Sequence, residues 1–452
     1  MSTSELSDWA QARPSLTCIK PVICDLNGVF RGKRLPVAEA PLVASGGVKM
    51  PVTAVFFDIW GRDVHGTGQV LETGDHDGVL VATQRGPLAL EFSDGTQEAI
   101  VPHVMHLADG SPYPADPRNA LQRVVDRFQA QGLTPVCAME LEFYVFAREA
   151  AEANGGVPAP MADAAGGARA NTYSIAELDA FEPFLDQVYA ACAAFDIPAQ
   201  TGISEAGSGQ FEINFSHSAD PMKAADDAVL FKYLVKRLAQ KNGLGVTFMA
   251  KPYATDSGSG FHTHMSVVDQ QGRNIFADGS ERGSDALRFA VSGLLDTLAE
   301  TTLVLAPHAN SFRRLRIGSH APANVTWGYD NRTVALRVPA GPDASRRIEH
   351  RVAGADANPY LVLAAILGAT LEGMAAKVEP VAPSTGNAYE SDAPRLPPTW
   401  SAAIDAFDAS QSARAIFGDL LVDLYAAGRR QERDQLDREI PPAEYAAYLT
   451  SV

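Results

Sequence analysis

The segment Val136–Ala147, "VCAMELEFYVFA", reads as a β-strand that is apolar on one side and acidic on the other. Side chains alternate along a strand, so Cys137, Met139, Leu141, Phe143 and Val145 face a core while Glu140, Glu142 and Tyr144 share the opposite face. Two carboxylates side by side repel each other unless a cation lies between them. A half-exposed strand also holds such a pair without any function.

The same theme recurs downstream. "SEAGSGQFEINF" places Glu205 before a Gly-Ser-Gly turn and Glu212 on the strand after it. "GSGFHTHMS" places His262, His264 and Ser266 on one face of another strand, and "ASRRIEHR" sets Glu349 among arginines. A lone histidine is commonly structural; two at i and i+2 beside a glycine-rich turn point to a site. Five glutamates with one or two imidazoles suit Mg²⁺ or Mn²⁺ rather than structural zinc. Around them Arg313, Arg314, Arg316, Arg332, Arg337, Arg346, Arg347 and Arg351 form a dense basic run. Such a run is either a set of salt bridges or a pocket for phosphate or carboxylate, which the guanidinium fork matches. Metal ions beside arginines are the equipment of phosphoryl transfer, and the chain has neither a GxxxxGK[ST] loop nor a kinase signature set.

Outward from this centre the chain alternates strands and helices. "CIKPVICDL", "TAVFFDI", "GVLVATQ" and "ALEFS" predict short strands in the first hundred residues, and the Pro-rich "LADGSPYPADPR" marks a domain boundary. "NALQRVVDRFQAQG" predicts a helix burying Leu121, Val124, Val125 and Phe128, with Gly132 at its end. Further helices are expected over 181–195 and 220–243, and strands at "GQFEINF", "GFHTHMSVVD" and "RTVALRVP". The small-residue stretch "AAEANGGVPAPMADAAGGA" reads as an exposed loop. The fold class is α+β: a small β-rich front domain and a larger domain of strands and helices.

With 452 residues, 46% hydrophobic and 20% charged, the composition is that of a soluble globular protein. The net charge of −17 argues against binding nucleic acid or an anionic membrane. No membrane span is expected, and "MSTSELSDWAQARPSL" has no signal-peptide pattern. Cys18, Cys24, Cys137 and Cys192 show no CxxC spacing, which fits a reducing cytoplasm.

Taken in order, "CDLNGVFRGKRLP", "PYPADPR", "MELEFYVF", "EAGSGQFEIN", "KPYATDSGSGFHTHMS", "NSFRRLRIG", "APANVTWGYDNRTVALRVP" and "RRIEHRVAGADANPYL" resemble the type I glutamine synthetase superfamily over essentially the whole chain. The wording, especially "FFDIWGRDV", is most similar to its γ-glutamylputrescine synthetase branch. The resemblance implies an N-terminal β-grasp domain, 1–106, and a C-terminal catalytic domain, 107–452. It implies a homo-oligomer, usually a dodecamer of two hexameric rings with active sites between subunits. It implies ATP, glutamate and a small amine as substrates, with two or more Mg²⁺ or Mn²⁺ ions. One metal would be held by Glu142, Glu205 and Glu212, and a second by Glu140, His262 and Glu349. ATP would meet His264, Ser266, Arg332, Arg337 and Arg347. Glutamate would meet Ser257, Gly258, Arg314 and Arg351. Asp63 and His320 would serve the amine, and Arg332 and Arg351 the transfer itself.

The chain departs from that pattern on the amine side. His320 stands where glutamine synthetases carry a glutamate that helps to form the ammonium pocket. Val64-His65-Gly66 replaces a Gly-Ser-Ser, Ser257 an asparagine and Ala344 a lysine. Losing a negative charge favours an organic amine over ammonium, and an imidazole still accepts a proton near neutral pH. Asp58, Trp60 and Asp63 are candidates to meet the far end of a diamine. The alternatives are glutamine synthesis from ammonia, an aromatic amine stacked on Trp60, and an inactive ring homologue. Tyr389 lies near a position that some bacterial glutamine synthetases adenylylate.

Overall fold

The computed structural model describes residues 3–153, 156–158 and 172–452. One sheet is built from β1 (Leu16–Cys24), β2 (Phe30–Gly32), β3 (Lys49–Pro51), β4 (Asp77–Ala82), β5 (Leu88–Glu91) and β6 (Gln97–His106). Its order is β2-β1-β6-β4-β3, with β5 also on β6; β1 and β6 run parallel and the other pairs antiparallel. The expected strand "TAVFFDI" is instead a 3₁₀ turn, Val52–Val55, whose residues are all buried. A short buried apolar run has no period that separates strand from turn. The ten-residue β6 carries Pro102, a residue that argues against a strand in sequence.

The second sheet comprises β7 (Thr134–Ala147), β8 (Ala199–Ser204), β9 (Gln210–Phe215), β10 (Leu244–Thr247), β11 (Phe261–Val268), β12 (Trp327–Tyr329), β13 (Leu336–Val338) and β14 (Ile348–His350). Its order is β12-β13-β14-β11-β7-β9-β8, with β10 continuing beside β7. This α+β architecture places β7 and β11 at the centre.

Helices cover the apolar face of β7. Helix Pro117–Gln129 starts where Asp116 accepts from the Arg118 and Asn119 amides, and it buries the four predicted apolar residues. Gly132 follows the helix end in a left-handed turn. Helix Pro221–Lys241 sets Phe231 edge-on against Phe143, ring centres 6.0 Å apart. Helices Asp285–Leu305 and Pro359–Ala376 cross at glycines: a Cβ on Gly373 would stand 2.2 Å from the Phe289 carbonyl, and one on Gly293 2.3 Å from that of Ala369. Pro359–Ala376 is long and apolar enough to cross a bilayer, but 78% of it is buried among the protein's own helices. The stretch expected as a loop after Ala150 begins as helix Arg148–Ala153, and most of its remainder lies outside the described residues.

Candidate active site

Register gathers the acidic face. Across β7, Glu140 is opposite His262 and Glu142 opposite Glu212. Across β14, Glu349 is opposite His264 on β11 and Arg337 on β13. Glu140 accepts from His262 Nδ1 at 3.1 Å and from His264 Nε2 at 2.8 Å. Arg347 Nε donates to His264 Nδ1 at 3.1 Å, which fixes that imidazole with its proton on Nε2.

Two ligand sets interlock through Glu140: Glu140, Glu212 and His262, and Glu140, His264 and Glu349. In each, the ligand atoms lie within 4.8 Å of one another. His264, which the family resemblance assigns to ATP, thus stands in the acidic cluster. Glu142 turns instead to the Gly260 amide at 2.9 Å and to Gln210 Nε2 at 3.1 Å.

The charges sort into two groups. Burial raises the Glu140 carboxyl, but hydrogen bonds from His262 and His264 outweigh it and hold it well below the usual range. Burial also opposes ionisation of Glu349, yet Arg351 and the two histidines hold it at about 2. Burial and the neighbouring Glu142 push Glu205 up to about 7. Burial together with Glu142, Glu140 and Glu205 pushes Glu212 up to about 9. Carboxyls that raise one another in this way are a site that a divalent cation stabilises. The donor set therefore fits Mg²⁺ or Mn²⁺.

Of the eight clustered arginines, four converge here. Arg337 Nη1 meets Glu349 at 2.8 Å, Arg351 pairs with the same carboxylate, Arg347 meets His264, and buried Arg314 lies beside Glu142. Arg313, Arg316 and Arg332 are exposed, while Arg346 is buried against the Ser280 carbonyl. Gly258 and Gly260 allow a tight approach. A Cβ on Gly260 would lie 2.9 Å from Arg314 Nη2, 3.0 Å from Glu142 Oε1 and 3.1 Å from His262 Nε2, and one on Gly258 2.8 Å from Arg314 Cγ. Tyr144 Oη holds the Ser257 carbonyl at 2.8 Å. Beside the acidic row opens a cavity of about 770 Å³, lined by Glu140, Asn214, His264, Ser266, Ala344 and Arg347.

Asp63 and His320 lie apart from this row. His320 is exposed with φ +60, in a non-helical, non-strand segment after helix Ser311–Arg314. Asp63 lines a separate cavity with Arg62, Gln431 and Arg438, none of whose walls come from the acidic strands. Asp58 is corrected as an amine contact: it is buried and its oxygens accept from the Trp60 and Arg62 amides, Arg62 Nε and Gln431. Trp60 is 47% exposed with the Arg62 guanidinium 4.6 Å from its ring centre. The Tyr389 hydroxyl is buried, so it is not presented for modification.

Two contributors escaped the sequence reading. Gln210 bridges Glu142 and the Gly258 carbonyl, the latter at 3.1 Å, and Asn214 Nδ2 donates to Glu140 at 3.1 Å. Both lie two residues from Glu212 on β9, so the alternation that groups Glu140 with Glu142 points to them too.

Residues 114–448 match the glutamine synthetase catalytic domain family. Gamma-glutamylputrescine synthetase PuuA of Escherichia coli (strain K12) is 34% identical over 444 residues, spanning 98% of this chain and 93% of that protein. Gamma-glutamylethanolamide synthetase GlnA4 of Streptomyces coelicolor is 36% identical over 356 residues, spanning 78% and 74%. Among solved structures, the GmaS/ADP complex superposes with a TM-score of 0.85 at 26% identity, covering 98% of this chain and 99% of that one.

Proposed function

The chain belongs to the glutamine synthetase family, and from that premise we propose that it ligates the glutamate γ-carboxylate to an organic amine, putrescine or a similar alkylamine. The reaction passes through γ-glutamyl phosphate and yields a γ-glutamyl amide, ADP and phosphate. A carboxylate is a poor electrophile because its leaving group is an oxide; phosphorylation supplies a better one.

ATP occupies the cavity beside the acidic row, against His264, Ser266, Arg347 and Arg337, with Arg332 reaching in from the exposed side. Glutamate lies on Ser257, Gly258, Arg314 and Arg351. Glu140, Glu142, Glu205, Glu212, His262 and Glu349 hold two or more Mg²⁺ or Mn²⁺ ions, which neutralise phosphate oxygens during transfer. Arg351 and Arg332 offset charge that builds up on the transferred group. Asp63, supplied by a neighbouring subunit in a dodecamer of two hexameric rings, and His320 form the amine pocket. The chain divides at 106/107, and the enzyme acts in the cytoplasm.

The observation that carries the organic-amine reading is His320, in a site whose acidic and arginine residues are otherwise complete. An alkylammonium has a pKa of roughly 10, so its nucleophilic free base must be generated at the site, and a neutral imidazole accepts that proton. The test is phosphate release from ATP and glutamate with a panel of amines. Putrescine or another alkylamine is expected to exceed ammonia in kcat/KM, and the reverse order overturns the reading. His320→Glu is expected to move preference toward ammonia by about tenfold, the scale of one changed charge contact.

A further inference from the structure

The loop that carries Asp63 is gripped from the far end of the chain. Helix Asp419–Leu436 presents Gln431, whose Nε2 donates to Asp58 Oδ2 at 3.0 Å and to the Asp63 carbonyl at 2.9 Å. Its Oε1 accepts from the His65 amide at 3.1 Å. One side-chain amide therefore fixes the backbone on both sides of Val64. Val64 is fully buried, and a Cβ placed on Gly428 of the same helix would lie 3.6 Å from its Cγ2. One residue further along, Glu432 Oε1 accepts from the Ile59 amide at 2.7 Å, and its Oε2 pairs with Arg429 Nη1 at 2.9 Å. Asp63 itself stays half-buried at the edge of a cavity of about 520 Å³.

We infer that Gln431, with Val64 seated against Gly428, is a positioning residue for amine recognition: it sets the direction of Asp63 by holding the backbone at residues 63 and 65. This rests on the reading of Asp63 as part of the amine pocket. The amide of Gln431 uses its acceptor and both of its donated bonds on this loop. A carboxylate or an aliphatic side chain there fails to reproduce the set. On the proposed reading, glutamate and ATP meet residues on and around the second sheet and none on this loop, so the effect is confined to the amine.

The test uses the full-length, Mg²⁺-loaded enzyme with putrescine, ethanolamine and ammonia as probes, and light scattering confirms unchanged assembly. Gln431→Met keeps the side-chain length and removes all three bonds. Its KM for the amine is expected to rise about tenfold, the scale of one or two net hydrogen bonds, while KM for glutamate and for ATP stays within about twofold. Val64→Ala, which empties the seat without touching Gln431, is expected to move the same constant in the same direction. Amide hydrogen exchange over residues 58–65 is expected to accelerate in both variants. Equal changes in all three KM values, or none, overturn the inference while leaving the ligase reading intact. A wild-type enzyme inert toward every amine overturns both.

Discussion

At the scale of single residues, the site depends on what is absent from a side chain as much as on what is present. Gly260 lets Arg314, Glu142 and His262 converge within about 3 Å of the place a methyl would take. Gly260→Ala is therefore expected to lower kcat/KM by about 100-fold, the penalty for shifting reacting groups by roughly 1 Å. Its melting temperature should stay near that of the parent, and a fully active variant would show that the convergence is not used. The glycine-rich spelling around Gly258 and Gly260 was visible in sequence. Which side chains close on it was not, because Arg314 arrives from a helix more than fifty residues downstream. Asp58 teaches the converse: its acidity suggested a partner for an amine, but its burial commits both oxygens to its own loop and to Gln431.

At the scale of strands, alternation within β7 and β11 was legible because both are long and central, with one apolar and one polar face. Register was not legible. It sets Glu142 against Glu212 and His264 against Glu349, and these pairs join segments separated by long stretches of chain. The three-residue β12 and β14 are too short to carry a period of their own. The register has a consequence for pH. Without metal, folded Glu205 and Glu212 keep protons up to about 7 and about 9, whereas in the unfolded chain they lose them near 4.5. At these two groups the folded state thus binds more protons through that window, so their contribution to stability falls as pH rises from about 5 to 9. Cations that hold both groups ionised remove that slope. Across this range the midpoint of the EDTA-treated enzyme should fall progressively further below that of the enzyme loaded with Mg²⁺ or Mn²⁺. A gap between stripped and loaded enzyme that does not change with pH would refute the assignment.

At the scale of the whole molecule, Asp63 lies in a loop between β3 and β4, and it and the acidic row line different cavities. In the ring proposed above, a site that needs both is completed by a second copy of the chain. Asp63→Asn and Glu212→Gln subunits should each be nearly inactive alone. Mixed at equal ratio before assembly, they should recover about one quarter of wild-type activity, since half the sites inherit an intact Asp63 and half of those an intact Glu212. No recovery in mixed rings would place both residues in one chain's site. The two sheets were foreseeable from the order of predicted strands, but their separation in space was not, because the helix that grips the Asp63 loop lies more than three hundred and fifty residues away. The apolar helix Pro359–Ala376 carries a last consequence, for biosynthesis. Its main partners, Pro117–Gln129, Pro221–Lys241 and Asp285–Leu305, all precede it in the chain. Translation therefore delivers the greasiest segment after the surfaces that receive it, which shortens the time it spends exposed to a membrane or to another nascent chain.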